Sequence, residues 1–321
     1  MDFSIIIANH NDHEMCDRLL HYLLDTDLVG CKLSYEIIIV NDGSDEPYLL
    51  SDDDMCSRNI IILNRNINLG VGDAFDWGVE RASGKYVILM GADVFCGYNG
   101  WVEKAIQSFD ESMYNGMGIM CFSCYSDNSY DDDRNTYGAR IVWKMDGTKL
   151  SLGHRNRNDV TYRDILQGEW MEHYPSGGVG EISCLMGACY LTTKDYYNRI
   201  RGFNGHRAWG GLEPMISLKT LLSGGKILVN GDIIIHHTFT RHNKQSDLHN
   251  YYANKIFMAQ SILKPYQSKE LLNYFCNISV RKELLKLSYS YLYQHRDLIN
   301  YLGDVLCYDV RDIEILNWGD E

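Results

Sequence analysis

The stretch from residue 82 to residue 93, Ala-Ser-Gly-Lys-Tyr-Val-Ile-Leu-Met-Gly-Ala-Asp, decides the fold. An uninterrupted apolar run follows a turn with a glycine and ends just before Asp93, which is typical of a strand buried on both faces of a parallel sheet. Three earlier segments have the same character, and they are bounded by polar or glycine-containing turns: Ser4 to Ile7, Glu36 to Val40 and Asn59 to Leu63.

Segments with helical spacing separate these strands. Asp12 to Asp27 has apolar residues on one helical face, and so does Val71 to Arg81, in which Ala74, Val79 and Ala82 can face inward. Alternating strands and helices favour right-handed β-α-β crossovers. The sequence therefore predicts an α/β fold of the Rossmann type, with a mixed, mostly parallel twisted sheet flanked by helices.

In such sheets, ligands bind beyond the carboxyl ends of the strands. Those ends are Ala8-Asn9-His10-Asn11, Asn41-Asp42-Gly43-Ser44 and Gly91-Ala92-Asp93, and all of them carry small or polar groups. Taken alone, Asp42-Gly43 has two interpretations. It is either an ordinary turn, in which both residue types are common, or a carboxylate that accepts hydrogen bonds from a ligand.

Composition excludes some classes of protein. The formal net charge of −13 opposes binding to nucleic acid or an anionic membrane, because phosphate contacts depend on Lys and Arg. No apolar run approaches the length of a membrane span, about 20 residues, so no integral membrane contact is expected. The amino terminus lacks a secretion signal, and ten cysteines suit reduced, buried thiols in the cytoplasm. Cys121 and Cys124 form one C-x-x-C pair, whereas a zinc site needs a second.

Four motifs in order carry a family resemblance: Ser4 to Asn11, Val40 to Asp45, Asn68-Leu69-Gly70-Val71-Gly72, and Ala82 to Asp93. Together they resemble the family 2 glycosyltransferases, which have the GT-A fold. The resemblance implies that Asp42 lies near a nucleotide base and that Asp93 binds a divalent metal, Mn²⁺ or Mg²⁺. It implies a nucleotide-binding set made of Ala8, Asn9, Asn11, Asp42, Gly43, Gly70 and Asp93.

The sequence departs from the family pattern at two places. The usual Asp-x-Asp is Gly91-Ala92-Asp93, so the first carboxylate is missing and one aspartate remains for the metal. The family's arginine after Asn-x-Gly is also absent, and Phe75, Asp76 and Trp77 occupy that stretch. The charge of a diphosphate must then be met by the metal or by another cation, for which the candidates are Lys85, Arg207 and Arg241.

A second block is similar to the acceptor-side motif of the polypeptide N-acetylgalactosaminyltransferases and the β-1,4-galactosyltransferases. It comprises Gly187 to Leu191, Gly202-Phe203-Asn204, Trp209-Gly210-Gly211-Leu212-Glu213 and Ser223 to Ile227. Trp209, Gly210 and Gly211 are expected to contact a sugar, since glycines allow close approach and an indole offers an aromatic face. Glu213 opens a helix, where the macrodipole favours a carboxylate, and the resemblance makes it the candidate general base. The simpler interpretations are that Trp209 is a residue of the hydrophobic core and that Glu213 is an ordinary charge at the start of a helix.

Two adjacent histidines follow an apolar strand in Ile233-Ile234-Ile235-His236-His237. In both resembled groups, a histidine on such a strand completes the metal site. Neighbouring residues of a strand point to opposite faces, so only one of the two should reach the metal. The match to the polypeptide transferases selects His237, while either histidine alone has the simpler interpretation of a core residue.

We therefore expect a glycosyltransferase whose donor is a nucleoside diphosphate sugar, with UDP as the carrier that the family favours. The acceptor is expected to be a glycan or a protein, and a modified base of phage DNA is disfavoured by the acidic charge. The alternatives are a non-catalytic sugar-nucleotide-binding module and a nucleotidyltransferase. Inversion and retention both remain open. Residues 1–240 are predicted to form the GT-A domain, with a nucleotide half (1–95) and an acceptor half (96–240), and 241–321 a helical extension.

Overall fold

The computed structural model describes residues 1–50, 58–126, 135–141, 144–146, 149–151, 166, 168–171, 178–208, 210–238, 248–263, 268, 286, 289–290 and 292–308. The strands are β1 (Phe3–Asn9), β2 (Tyr35–Asp42), β3 (Ile60–Arg65), β4 (Tyr86–Gly91), β5 (Val94–Phe95), β6 (Gly118–Ser126), β7 (Asn135–Thr136), β8 (Ala139–Ile141), β9 (Lys144–Asp146), β10 (Lys149–Ser151), β11 (Gly168–Trp170), β12 (Val179–Glu181), β13 (Cys189–Thr193) and β14 (Lys226–His237). The α-helices are α1 (His13–Tyr22), α2 (Val71–Arg81), α3 (Trp101–Ser112), α4 (Lys194–Arg199), α5 (Leu212–Leu222), α6 (Leu248–Ser261) and α7 (Arg296–Val305).

One large mixed sheet organises the described part of the chain. Its strand order is β12-β14-β6-β13-β4-β1-β2-β3, and β5 and β7 pair with β14 and β6. The neighbours β3-β2-β1-β4 are all parallel, whereas β13 runs antiparallel between β4 and β6. This mixed, mostly parallel sheet with flanking helices confirms the predicted α/β fold class.

The four predicted strands are all present: three are extended by one or more residues, and the third begins one residue later than predicted, at Ile60, and ends two residues later. β1, β2 and β4 are buried, and their Ile and Val side chains divide between two hydrophobic clusters, whereas β3 is the edge strand and is mostly partly exposed. The predicted helix from Val71 to Arg81 has those bounds, and Ala74, Val79 and Ala82 face inward as expected. The first helix, α1, continues into a wider π-type helical turn over Leu23–Asp27.

Helices of the carboxy-terminal segment pack on the sheet unit. Ile256, Phe257 and Met258 of α6 are buried in the same hydrophobic cluster as Met215 of α5. The predicted stripe at Leu248, Tyr252, Ile256 and Ala259 falls on α6, while the stripe at Leu284, Leu285, Leu287 and Tyr291 lies outside the described residues. The boundary at 240 stays a prediction. None of the described helices is long and apolar enough to cross a bilayer.

Candidate active site

The carboxyl ends of β1, β2, β4 and β14 lie at one edge of the sheet. β1, β2 and β4 are parallel, so Asn9, Asp42 and Gly91 end at the same edge. β14 is parallel to β6, and β13 runs antiparallel to both β6 and β4, so β14 points in the same direction as β4. His237, at the carboxyl end of β14, therefore arrives at the edge where Asp93 follows β4.

A cleft of about 460 Å³ opens at this edge. It is large enough for a small-molecule ligand, since such sites span roughly 300–1,000 Å³. The residues of the sequence-predicted site that line it are Ala8, Asn9, Asp42, Gly70, Asp93, Glu213 and His237. The structure therefore brings together the predicted nucleotide side, the predicted metal ligands and the predicted base.

Asp42 forms the floor of the nucleotide side. Its carboxylate accepts hydrogen bonds from the backbone N–H groups of Leu69 (3.0 Å) and Gly70 (2.8 Å), and it pairs with the Arg65 guanidinium. An anion is stabilised there by the amino-terminal end of α2. Gly70 has φ +100°, and a Cβ at this position would lie 2.5 Å from the Ala208 carbonyl oxygen, so only glycine fits.

Asn9 lies beside Asp42 and is almost fully buried. Its Nδ2 donates to Asn41 Oδ1 at 3.1 Å, whereas its Oδ1 accepts no hydrogen bond within the described part of the chain. A buried amide oxygen without a donor is costly, and native structures satisfy almost all such groups. Asn9 also lines the cleft.

Asp93 and His237 meet on the opposite wall of the cleft. His237 Nε2 lies 3.2 Å from Asp93 Oδ2, and the Thr238 N–H donates to the Asp93 carbonyl oxygen at 2.9 Å. The short strand β5 pairs with β14, opposing His237 to Val94, and this pairing holds the two segments together. The side chains are partly exposed to the cleft, His237 by 18% and Asp93 by 29%.

His236 faces away from Asp93, as strand alternation requires. Its ring stacks on Phe95 with centroids 5.0 Å apart and meets the edge of Tyr125 at 5.5 Å. His236 is therefore a packed aromatic residue, and His237 is the histidine of this pair that lines the cleft.

The donor set at Asp93 and His237 fits a divalent metal that shares its coordination with a ligand. One carboxylate and one imidazole supply two protein donors, and Mn²⁺ and Mg²⁺ commonly complete their shells with phosphate oxygens and water. No group of three or more His, Cys, Asp or Glu side chains suited to a metal occurs among the described residues. An ion held here would thus depend on the nucleotide for part of its coordination.

Glu213 lies in the first turn of α5, after Gly211, and lines the same cleft. The Tyr190 hydroxyl donates to Glu213 Oε1 at 3.1 Å. Burial raises the pKa of the Glu213 carboxyl above its ordinary value, although the Tyr190 bond and the nearby His237 oppose the shift. A carboxylate of raised pKa is a stronger base than a solvated one, which suits proton abstraction.

The loop before α5 is held by the carboxy-terminal helix α6. Asn254 is fully buried, and its Oδ1 accepts the Arg207 N–H at 2.9 Å. Its Nδ2 donates to the carbonyl oxygens of Arg207 (2.9 Å) and Gly210 (3.0 Å). His206 packs beside it, and burial lowers the pKa of His206 to about 4, so its ring is neutral. The helical extension therefore helps to shape the active-site loop.

We expect Asn254→Ala to lower the free energy of unfolding by about 1–3 kcal/mol, since it leaves buried backbone groups without partners. It should also lower kcat, because the loop that it holds leads directly into α5 and Glu213. Asn198→Ala, which removes an exposed amide from α4, is the control. Equal losses from both variants, measured by thermal denaturation and steady-state kinetics, would contradict this role.

Other predicted residues lie away from the cleft lining. Asn11 bridges two loops, with its Oδ1 accepting the Asp45 N–H at 2.8 Å. Gly43, with φ +67°, packs under the backbone of residues 67–68. The Gly210 carbonyl accepts the Asn254 bond, and Gly211 caps α5 in a left-handed conformation. Trp209, the predicted sugar-binding indole, lies outside the described residues.

Two of the three cations proposed for the diphosphate can be placed. Lys85 precedes β4, so it lies at the opposite edge of the sheet, where its Nζ contacts the Tyr86 hydroxyl at 2.6 Å. That position is wrong for a diphosphate partner in the cleft. Arg207 lines a neighbouring cavity, and Arg241 lies outside the described residues.

Sequence reasoning missed Arg65, Tyr190 and Asn254. Arg65 ends β3 beside Asp42 in the parallel register, so the rule that found the other strand ends could have found it. Tyr190 lies in the motif from Gly187 to Leu191, but strand alternation alone does not tell which face of β13 contacts Glu213. Asn254 had no signal, because its role depends on where α6 docks.

Residues 4–166 match the model of glycosyl transferase family 2, and the chain belongs to this family. It is 36% identical over 96 residues to an uncharacterized glycosyltransferase of Synechocystis sp., which covers 29% of this chain and 30% of that protein. It is 29% identical over 130 residues to a dolichyl-phosphate β-glucosyltransferase of Dictyostelium discoideum, covering 37% and 39%. The chain thus matches well under half the length of either relative.

Solved structures share the fold over nearly the whole chain. GalNAc-T7 with UDP, GalNAc and Mn²⁺ superimposes with a TM-score of 0.60 at 13% identity, covering 98% of this chain and 59% of that one. Residues 1–349 of TarS from S. aureus in complex with UDP-GlcNAc give 0.52 at 13% identity, covering 92% and 73%. At this identity the likeness establishes the GT-A type of fold.

Proposed function

We propose that the chain is a metal-dependent glycosyltransferase that moves a sugar from a UDP-sugar to a hydroxyl group of a glycan or protein. One observation carries the proposal: Asp42, Asp93, His237 and Glu213, which are distant in sequence, line a single cleft at the carboxyl edge of the sheet. The presence of UDP and Mn²⁺ with GalNAc-T7, and of UDP-GlcNAc with TarS, supports the choice of donor and cofactor.

Asp42 and Asn9 would bind the nucleoside. A carboxylate has about four lone-pair positions, and three donors already bond to Asp42. One position is left for an N–H of the base or a hydroxyl of the ribose, and Asn9 lines the cleft nearby.

Asp93 and His237 would hold the divalent cation together with the diphosphate. A cation at this position would supply electrostatic stabilisation of the departing diphosphate, the role that metals have in phosphoryl chemistry. The chain's own contribution is to bring one carboxylate and one imidazole to the same point by pairing β5 with β14.

Glu213 would take the proton of the acceptor hydroxyl as the new glycosidic bond forms. Tyr190 bonds to Oε1, which leaves Oε2 for the acceptor proton. Attack from the side of Glu213 opposite the leaving group gives inversion of the anomeric carbon. The anomeric configuration of the transferred sugar, determined by NMR of the product, distinguishes inversion from retention.

The proposal is tested by incubating the full chain with a panel of UDP-sugars, Mn²⁺ and candidate acceptors and measuring released UDP. We expect release from at least one donor, its loss with EDTA, and its recovery with excess Mn²⁺. Release that persists in EDTA would remove the metal from the account. UDP-sugar binding without release or transfer would instead identify a non-catalytic binding module.

A further inference from the structure

A second and larger cavity, of about 660 Å³, lies beside the cleft. Its walls come from four places: the end of β3 and the loop after it (residues 65–69), α2, the loop around residues 203–208, and the carboxy-terminal segment at Asn250, Gln294 and His295. Cavities between a sheet unit and a packed helical segment are common ligand sites. None of the residues assigned above to chemistry or to the metal lines this cavity.

Trp77 of α2 gives the cavity an aromatic surface. The ring is partly exposed, and the Arg65 guanidinium lies 5.6 Å from its centroid. Stacking by a guanidinium stiffens both side chains. A partly exposed indole beside polar groups suits a ligand that has an apolar face and polar edges.

The charges in the cavity nearly cancel. Three carboxyl groups, on Asp73, Asp76 and Glu80, face two guanidinium groups, on Arg65 and Arg207. Arg65 also pairs directly with Asp73. The Asp76 carboxyl accepts the Tyr197 hydroxyl (2.6 Å) and the Phe203 N–H (2.9 Å), and burial raises its pKa to about 7.

Such walls fit a neutral ligand rich in hydroxyl groups. Carboxylates accept hydrogen bonds from hydroxyl groups, and the side-chain amides of Asn204 and Gln294 can both accept and donate them. A polyanion would meet three carboxyl groups without a surplus of cations, and a cation would meet two guanidinium groups. An apolar ligand would leave the polar walls desolvated.

The cavity adjoins the candidate active-site cleft. Asn68 and Ala208 line both. The Ala208 backbone packs against Gly70, so the partition between the two spaces is one layer of backbone thick. A chain-like ligand in the larger cavity therefore has its end close to the cleft.

We propose that this cavity is an acceptor subsite that holds a neutral glycan chain, with Trp77 as its stacking platform. The proposal rests on the proposed function, since it assigns the acceptor of that reaction. The ligand that we assign is a neutral glycan. A phosphate-bearing polymer, DNA and a polypeptide are the other ligands that the test below distinguishes.

The test applies the full chain to an array of neutral glycans, acidic glycans, phosphate-bearing polymers, peptides and duplex DNA. We expect binding to neutral glycans that Trp77→Ala weakens by roughly tenfold or more, the usual effect of truncating an aromatic anchor. Trp170→Ala, which removes another exposed indole, is the matched control and should bind as the wild type does.

A second variant guards against misfolding of the first. Asn204→Trp places a ring at the cavity mouth, where residue 204 is exposed, and keeps the backbone carbonyl that accepts the Lys219 ammonium. It should block glycan binding and leave UDP affinity, measured by calorimetry, unchanged. Neutral-glycan binding that survives both variants, no neutral-glycan binding, or a preference for another class would overturn the subsite. Failure of the wild type to bind UDP would instead overturn the proposed function.

Discussion

Glu213→Gln is expected to lower kcat by roughly 10²–10⁴-fold, the usual contribution of a general base. The amide keeps the size of the side chain and can still accept the Tyr190 hydroxyl bond, but it cannot take a proton. Because the proposed nucleoside-binding residues, Asp42 and Asn9, belong to β2 and β1 and are unchanged in this variant, the affinity for UDP should stay near that of the wild type. The measurement is steady-state transfer together with UDP titration.

The pH dependence gives a second check on Glu213. The wild-type kcat/KM should fall as the pH drops through the raised pKa of Glu213, since only the ionised form accepts a proton. Tyr190→Phe removes one bond that favours the ionised form, so the acidic limb should move to higher pH. Near wild-type transfer by Glu213→Gln would remove Glu213 as the base.

Replacing Glu213 should have opposite effects on activity and on stability. A carboxyl whose pKa is raised by folding binds protons more tightly in the folded state, so it costs stability once the pH rises above the unfolded pKa. Glu213→Gln removes this cost and should raise the melting temperature at neutral pH, with the difference disappearing in acid. A variant that is inactive because it is misfolded would melt lower instead.

The second large effect is expected at the Asp93 and His237 pair. Asp93→Ala and His237→Ala should each lower Mn²⁺-dependent transfer by at least about 100-fold, since even outer partners of a metal site are worth 10–100-fold. His236→Ala is the matched control, because its ring packs on Phe95 and Tyr125. It should retain metal-dependent transfer and lose only some stability.

The opposite pattern would refute the assignment. If His236→Ala abolished Mn²⁺-dependent transfer and His237→Ala spared it, the strand would present its other face to the metal. Unchanged Mn²⁺ dependence in Asp93→Ala would mean that Asp93 is not a ligand of the metal.

The sheet could be predicted from sequence because its strands are buried on both faces. Runs such as Ile5 to Ile7 and Val87 to Met90 have few alternatives to a central parallel strand. The apolar stripe of α2 likewise predicted both ends of the helix correctly. The shape of β14 was less accessible, because its register against β6 shifts between Asn230 and Ile234, and alternation rules fail at such irregularities.

The site residues could be predicted from the sequence where a rule about a single strand was enough. Asp42 and Asp93 follow from strand ends, and His237 from alternation combined with a family resemblance. Arg65, Tyr190 and Asn254 depend on tertiary docking: which strands neighbour each other, which face meets α5, and where α6 lies. Periodicity identifies the buried stripe of α6, but it does not identify the loop that the buried Asn254 binds.

The central claim is that Asp93 and His237 share one cation with a bound nucleotide. Pulsed electron paramagnetic resonance of Mn²⁺ in the complex with UDP tests it directly, since a coordinating imidazole gives a nitrogen coupling. We predict that coupling in the wild type and in His236→Ala, and its loss in His237→Ala. Nitrogen coupling that persists in His237→Ala, or a wild-type Mn²⁺–UDP complex without it, would contradict the account.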